Sequence, residues 1–228
     1  MSLFAIADTH LSFGTDKPMD DFIGWNDYTA RLQKKWNSIV EPDDTVVIAG
    51  DISWAMNFDE LKADFEFIHN LNGTKIILKG NHDYWWTTAR KMNKFIEENG
   101  FNSIKILHNN SYTVGDVSVC GSRGWMFESD EAHDEKVLNR EVMRVKASLD
   151  SAQCEEKIVF LHYPPVTLNS VCDEIFDLLK SYGIKKCFYG HLHGVAAKIA
   201  VDDTVEGVDL RLISCDRLSF VPKLIKKF

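Results

Sequence analysis

At 228 residues, with 45% apolar and 26% charged residues, the chain can bury a sizeable core and has the composition of an ordinary globular protein. A formal charge of −8 argues against a broad nucleic-acid groove, because duplex binding relies on neutralising many phosphates with Lys and Arg. No apolar run reaches the ~18 residues of a membrane span, and the five cysteines include no Cys-x-x-Cys pair, so neither a disulfide framework nor a zinc finger is indicated.

The first residues lack a basic leader and enter a predicted strand over 3–7, which favours the cytoplasm and ends in Asp8-Thr9-His10. Helical spacing over 25–40 places Tyr28, Leu32, Trp36 and Ile39 on one face. A strand over 45–49 runs into Gly50-Asp51. A helix over 58–71 follows, with Asn57 as N-cap, and a strand over 75–78 passes through Lys79 into Gly80-Asn81-His82-Asp83. A helix over 89–99 stops at Gly100, a strand is predicted at 104–107, and a hairpin over 112–121 turns at Val114-Gly115-Asp116-Val117. The longest helical stretch is 130–149. A strand over 158–161 delivers His162-Tyr163-Pro164-Pro165, a helix over 171–182 stops at Gly183, and a strand over 186–189 delivers Gly190-His191-Leu192-His193. The last predicted strand is 210–214, and the Lys-rich end from 223 reads as a solvated tail. Helices alternating with near-continuous apolar strands predict an α/β domain whose strands are covered on both faces. With no linker, repeat or low-complexity tract, a single domain over 1–228 is expected.

Five apolar strands thus each deliver Asp, Asn or His just beyond their carboxyl ends, where open α/β sheets bind ligands. Imidazole nitrogens with carboxylate or carboxamide oxygens, and no thiolate, suit Mn, Fe or Zn. Asp-x-His and His-x-His place alternate side chains on one side of an extended segment, so both donors of a pair can face one ion. A glycine before Asp51, Asn81 and His191 allows a sharp, close approach of the backbone.

Asp8-Thr9-His10, Gly50-Asp51, Gly80-Asn81-His82-Asp83, His162 and Gly190-His191-Leu192-His193 together resemble the calcineurin-like metallophosphoesterase superfamily. The resemblance implies a four-layer α/β/β/α sandwich of the metallo-dependent phosphatase type and a hydrolase with two metal ions. Asp8, His10, Asp51 and His193 would hold one ion; Asp51, Asn81, His162 and His191 would hold the other, with Asp51 bridging. His82 would contact the phosphate and protonate the leaving group, while a hydroxide between the ions attacks phosphorus in line without a phosphoenzyme. The expected partner is a small phosphorylated substrate, nucleotides included, with nucleic acid disfavoured. The Asp-Arg pair that Ser/Thr phosphatases of the superfamily carry after the bridging Asp is replaced here by Trp54-Ala55, which speaks against that role. His162-Tyr163-Pro164-Pro165 is similar to the His-His-Pro-Pro segment of a bacterial branch that includes cyclic-nucleotide phosphodiesterases, with Leu161 in place of the first histidine. The competing readings are a nuclease-type phosphodiesterase and a metal-binding scaffold without catalysis.

Aromatic residues flank these motifs. Packing is the expected role of most, with Trp54 and Trp86 as candidates for stacking on a planar substrate group. Arg123 either reaches the phosphate or closes an ordinary turn. Arg140 and Arg144 read as a solvated face pairing with Glu141, and His69, His108 and His133 as structural or exposed.

Overall fold

Strand β1 (Ser2–Ile6) shows how the apolar runs are used. Phe4 and Ile6 join a core shared with helices, whereas Leu3, Ala5 and the following Ala7 join a core made by strands. Alternate side chains of one strand therefore feed two cores, which is why the run is apolar throughout. The computed structural model describes residues 1–125 and 135–228.

Two sheets result. In the first, β2 (Thr45–Ala49), β3 (Thr74–Leu78) and β4 (Ile104–Ile106) extend in parallel from β1, and β11 (Lys223–Lys227) pairs antiparallel on its other side. The second comprises β5 (Tyr112–Val114), β6 (Val117–Ser122), β7 (Glu156–Leu161), β8 (Lys186–Tyr189), β9 (Thr204–Val205) and β10 (Val208–Leu212). Their order is β5-β6-β7-β8-β10-β9, parallel except for the pairs at the two edges. Helices α1 (Tyr28–Asn37), α2 (Phe58–Asn70) and α3 (Ala89–Glu98) pack Leu32, Trp36, Phe65 and Met92 on the outer face of the first sheet. Helices α4 (Glu135–Asp150) and α5 (Asp173–Ser181) pack Leu138, Val145, Ile175 and Leu179 on the outer face of the second. Val47, Ala49, Ile76 and Leu78 meet Val119, Ile158, Phe160 and Phe188 between the sheets. The stack is the expected α/β/β/α sandwich.

Parallel pairing is level at the carboxyl ends: Ile6 opposes Ile48, Ile48 opposes Ile77, and Leu161 opposes Tyr189. The residues that follow these strands therefore emerge at one rim. Helix α2 begins as expected, with Asn57 accepting from Glu60 N at 3.0 Å.

Two expectations are corrected. The segment from 223 is a paired edge strand: β11 pairs with β1, Lys223 and Lys227 are exposed, which suits an edge, and Lys226 pairs with Asp116 and Glu156. Helix α1 begins at Tyr28 and leaves Ile39 exposed, because Val40 instead turns into the core. The start of the helix expected over 130–149, and His133, lie outside the described residues. Among those described, no helix is long and apolar enough to cross a membrane.

Lys75 is fully buried in β3, and its ammonium donates to the carbonyls of His69, Leu71 and Gly73 at 3.2, 2.7 and 2.8 Å. It caps the end of α2, while burial pushes its pKa down to about 8. Lys75→Met keeps the volume but removes all three donors. The expected loss is about 1–3 kcal/mol of stability, read from urea midpoints.

Candidate metal centre

The rim is stitched before any side chain is considered. Ala7 N donates to Ile213 O at 2.8 Å and Cys215 N to Ala7 O at 2.9 Å, so the end of β1 is bonded to the segment after β10 in the opposite sheet. Asp8 N donates to Gly50 O and His10 N to Asp51 O, both at 2.9 Å, and Gly190 N to His162 O at 3.0 Å. Asp8, His10, Asp51 and His191 have φ of 62°, 43°, 49° and 69°. Four predicted ligands thus occupy the left-handed region, which side chains other than glycine rarely adopt, and such strain concentrates where surrounding structure enforces it. Gly80 is required by contact instead: a Cβ there would lie 2.1 Å from Asp51 Oδ1.

All seven predicted ligands converge. Asp8, His10, Asp51 and His193 each present an atom within 4.8 Å of the others, and Asp51, His162 and His191 do the same. Asn81 Oδ1 joins the second group, 2.6 Å from His162 Nε2 and 3.0 Å from His191 Nδ1. Asp51 Oδ2 lies between the groups, 3.7 Å from His10 Nε2 and 3.5 Å from His162 Nε2. This oxygen is buried and has no hydrogen-bond partner. A buried carboxylate oxygen without a donor is costly unless a cation faces it. His10 Nε2 and His193 Nε2 are 3.1 Å apart, close enough for both lone pairs to address one cation. The donor set therefore fits two adjacent ions, and its nitrogen and oxygen atoms are of the kind that Mn, Fe or Zn accept.

The electrostatics point the same way. Burial, reinforced by Asp51, holds Asp8 well above the usual carboxylate range, and burial raises Asp51 as well. Burial pushes His162 and His191 down to about 3, and His10 far below its ordinary value. The imidazoles are thus neutral, the form that ligates, whereas the carboxylates call for positive charge.

A supporting layer fixes these atoms. His162 Nδ1 lies 3.1 Å from Ala49 O; donating there, it directs Nε2 into the centre. His191 N donates to both oxygens of Asp8 at 3.0 and 3.1 Å, and His82 N to Asp51 Oδ1 at 2.8 Å. Asp83, fully buried, accepts from Ile52 N at 2.9 Å, Ser53 N at 3.3 Å and Gly80 N at 2.7 Å. It joins the loops after β2 and β3, and burial together with Asp51 raises it to about 7. The motif contained Asp83, yet nothing in its spacing assigned it a role. Asp83→Ala leaves three buried donors unpaired, and a loss on the order of 3 kcal/mol is expected in urea unfolding. Asp216 was also missed. It lies 3.9 Å from His193 Nδ1 and accepts from Gly194 N at 2.8 Å. It lies just beyond the strand predicted over 210–214, but Cys215 intervenes, so no polar residue directly follows that strand.

His82 enters the mouth of the centre, its ring 5.7 Å from His10 and 4.5 Å from Trp54. Tyr84 OH is 3.2 Å from His82 Nδ1. A cleft of about 560 Å³ opens here, lined by His10, His82 and His193, by the apolar Phe22, Trp25 and Trp54, and by Asp21 and Asp216. Trp54 stacks on His10 at 4.9 Å and so lines the cleft, whereas Trp85 is core and Trp86 faces a different pocket with Arg123. The other outlying residues also resolve. His69 meets Ser103 Oγ at 2.8 Å. Glu141, expected on a solvated face, is fully buried, where Ser122, Arg123 and Arg144 hold it.

The sequence model of the calcineurin-like phosphoesterase family matches residues 1–195. No curated protein matches the chain. Among solved structures, a phosphopantetheinyl hydrolase from Mycobacterium tuberculosis is similar, with a TM-score of 0.57 and 16% identity, covering 100% of this chain and 96% of that one. A protein of unknown function from Aquifex aeolicus is similar, with a TM-score of 0.55 and 14% identity, covering 98% of this chain and 95% of that one. A Thermus thermophilus structure follows, with a TM-score of 0.51 and 13% identity, covering 84% and 81%. At such identities these likenesses bear on the fold.

Proposed function

Because this chain belongs to the calcineurin-like phosphoesterase family, we propose that it hydrolyses a small phosphomonoester or phosphodiester at a two-ion centre. Asp8, His10, Asp51 and His193 would hold one ion, and Asp51, Asn81, His162 and His191 the other. The observation that carries this reading is Asp51 Oδ2, buried without a partner between the two groups of ligands. Bound there, the ions supply a water of lowered pKa and positive charge for the phosphoryl oxygens. The protein's own contribution is to hold the ligands level at the rim, and to keep Asp51 oriented through His82 N.

His82 is the proposed proton donor to the leaving oxygen. It lines the cleft and belongs to neither ligand group, so ion binding gives no reason for it. The acidic partner that Ser/Thr phosphatases place after the bridging Asp is Trp54 here. Tyr84 takes over the orienting contact: with Nδ1 donating to its hydroxyl, Nε2 is left for the substrate. The largely apolar lining of the cleft, with Asp21 and Asp216 as its acids, suits an uncharged leaving group. The likeness to a phosphopantetheinyl hydrolase adds phosphopantetheine esters to the candidate substrates, alongside nucleotides.

The deciding experiment is phosphate or nitrophenol release from p-nitrophenyl phosphate and bis(p-nitrophenyl) phosphate, with Mn²⁺, Fe²⁺ or Zn²⁺ and after chelation. Metal-dependent turnover of either ester is expected. Inactivity towards both esters and a nucleotide panel, in protein carrying two ions, would leave the scaffold reading standing. Cleavage of DNA or RNA in preference to small esters would favour the nuclease reading, which the charge of −8 opposes.

A further inference from the structure

We propose that the pocket formed by Lys79, Arg123 and Arg144 is a second oxyanion site, which takes a phosphate group outside the cleft over His82. The pocket has a volume of about 340 Å³, ample for a phosphate, and its lining also includes Thr87, Ser122 and His108. Three cations meet here in a chain whose net charge is −8. Glu141 is the carboxylate that engages the two arginines. It lies 3.5 Å from an Arg123 guanidinium nitrogen, pairs with Arg144 and accepts from Ser122 Oγ at 3.0 Å. One buried carboxylate orients two guanidiniums and offsets one of three positive charges. Lys79 is the third cation, and Asp83 and Glu141 are the carboxylates that act on it. Burial, together with Arg144 and Lys79 alongside, lowers His108, so the ring stays neutral and available as a hydrogen-bonding group. Guanidinium forks, an ammonium and hydroxyls around one pocket form the donor set that a phosphate accepts.

The pocket is joined to the metal centre by backbone. Lys79 directly precedes Gly80-Asn81. Arg123 O accepts from His162 N at 3.0 Å and Tyr163 N at 2.8 Å, and the Tyr163 ring packs 4.5 Å from that of His191. A phosphate held here therefore sits beside the layer of ligands while remaining outside the cleft. It is either a remote phosphate of the substrate or a free oxyanion, and the two sources are separable.

The test is equilibrium binding of inorganic phosphate to the metal-loaded protein, with Arg144→Gln, Lys79→Gln and Thr87→Glu compared. Wild type is expected to bind one more phosphate per chain than any of the three variants, or to bind it at least tenfold more tightly. Unchanged stoichiometry and affinity in the variants that fold, as judged by circular dichroism, would overturn the proposal. It does not depend on turnover: an inactive protein that binds phosphate in this way loses the proposed function but keeps the site. For the source, KM is compared for p-nitrophenyl phosphate and a nucleoside 3′,5′-bisphosphate. A remote substrate phosphate predicts that the variants raise KM for the bisphosphate at least tenfold more than for the monophosphate. A free oxyanion predicts equal changes for both, with the phosphate-binding difference intact.

Discussion

Asp51→Asn is expected to reduce bound metal from two ions per chain to one or fewer, and to lower turnover on the order of 10³-fold, about 4 kcal/mol of barrier. The substitution is nearly isosteric. The carboxamide oxygen can still accept from His82 N, now 2.8 Å from Asp51 Oδ1, so the loop has no steric reason to move. What changes is the oxygen between His10 Nε2 and His162 Nε2, which becomes an amide nitrogen that offers no lone pair to a cation. Because this atom faces both groups of ligands, both ions should suffer. His193→Ala, which touches one group, should affect only that group's ion. Elemental analysis of dialysed protein with parallel kinetics makes the comparison. Two tightly held ions in Asp51→Asn would remove the bridging role.

His82→Ala is expected to separate the same two readouts. Turnover should fall roughly 10²–10⁴-fold, the usual contribution of a positioned acid, while metal content stays at the wild-type level. Burial lowers the pKa of His82 from 6.5, and Asp51 opposes this. A donor must carry its proton, so the His82 contribution is present below that lowered value and is lost as pH rises through it. The ratio of wild-type to His82→Ala rates should therefore shrink towards alkaline pH. A ratio that is flat with pH would deny the acid role even if turnover fell.

The rim was legible in the sequence because the predicted ligands follow apolar runs either directly, as at Asp8 and His162, or after one or two residues that include a glycine, as at Asp51, Asn81 and His191. A strand buried on both faces must stay apolar to its end, so the first polar residue marks the rim, as at Asp8, Asp51 and His162. The pairing of the two sheets was not legible, since nothing in the run 45–49 says which face meets helices and which meets strands. The role of Asp83 was hidden because its partners are backbone N–H groups, which every residue carries. Edge pairing hid β11 for the opposite reason: its side chains are mostly lysines, and its stabilisation comes from the main chain. Glu141 misled because helical spacing places it among charged neighbours, whereas the second sheet buries it.

Asp8, Asp51 and Asn81 come from one sheet, and His162, His191 and His193 from the other, so the centre spans the seam between them. Bound cations would act as rivets across that seam. Chelation should then do more than silence the protein. Amides of the inter-sheet strands, such as those of Val47 and Phe160, should exchange with solvent faster, although neither residue belongs to either group of candidate ligands.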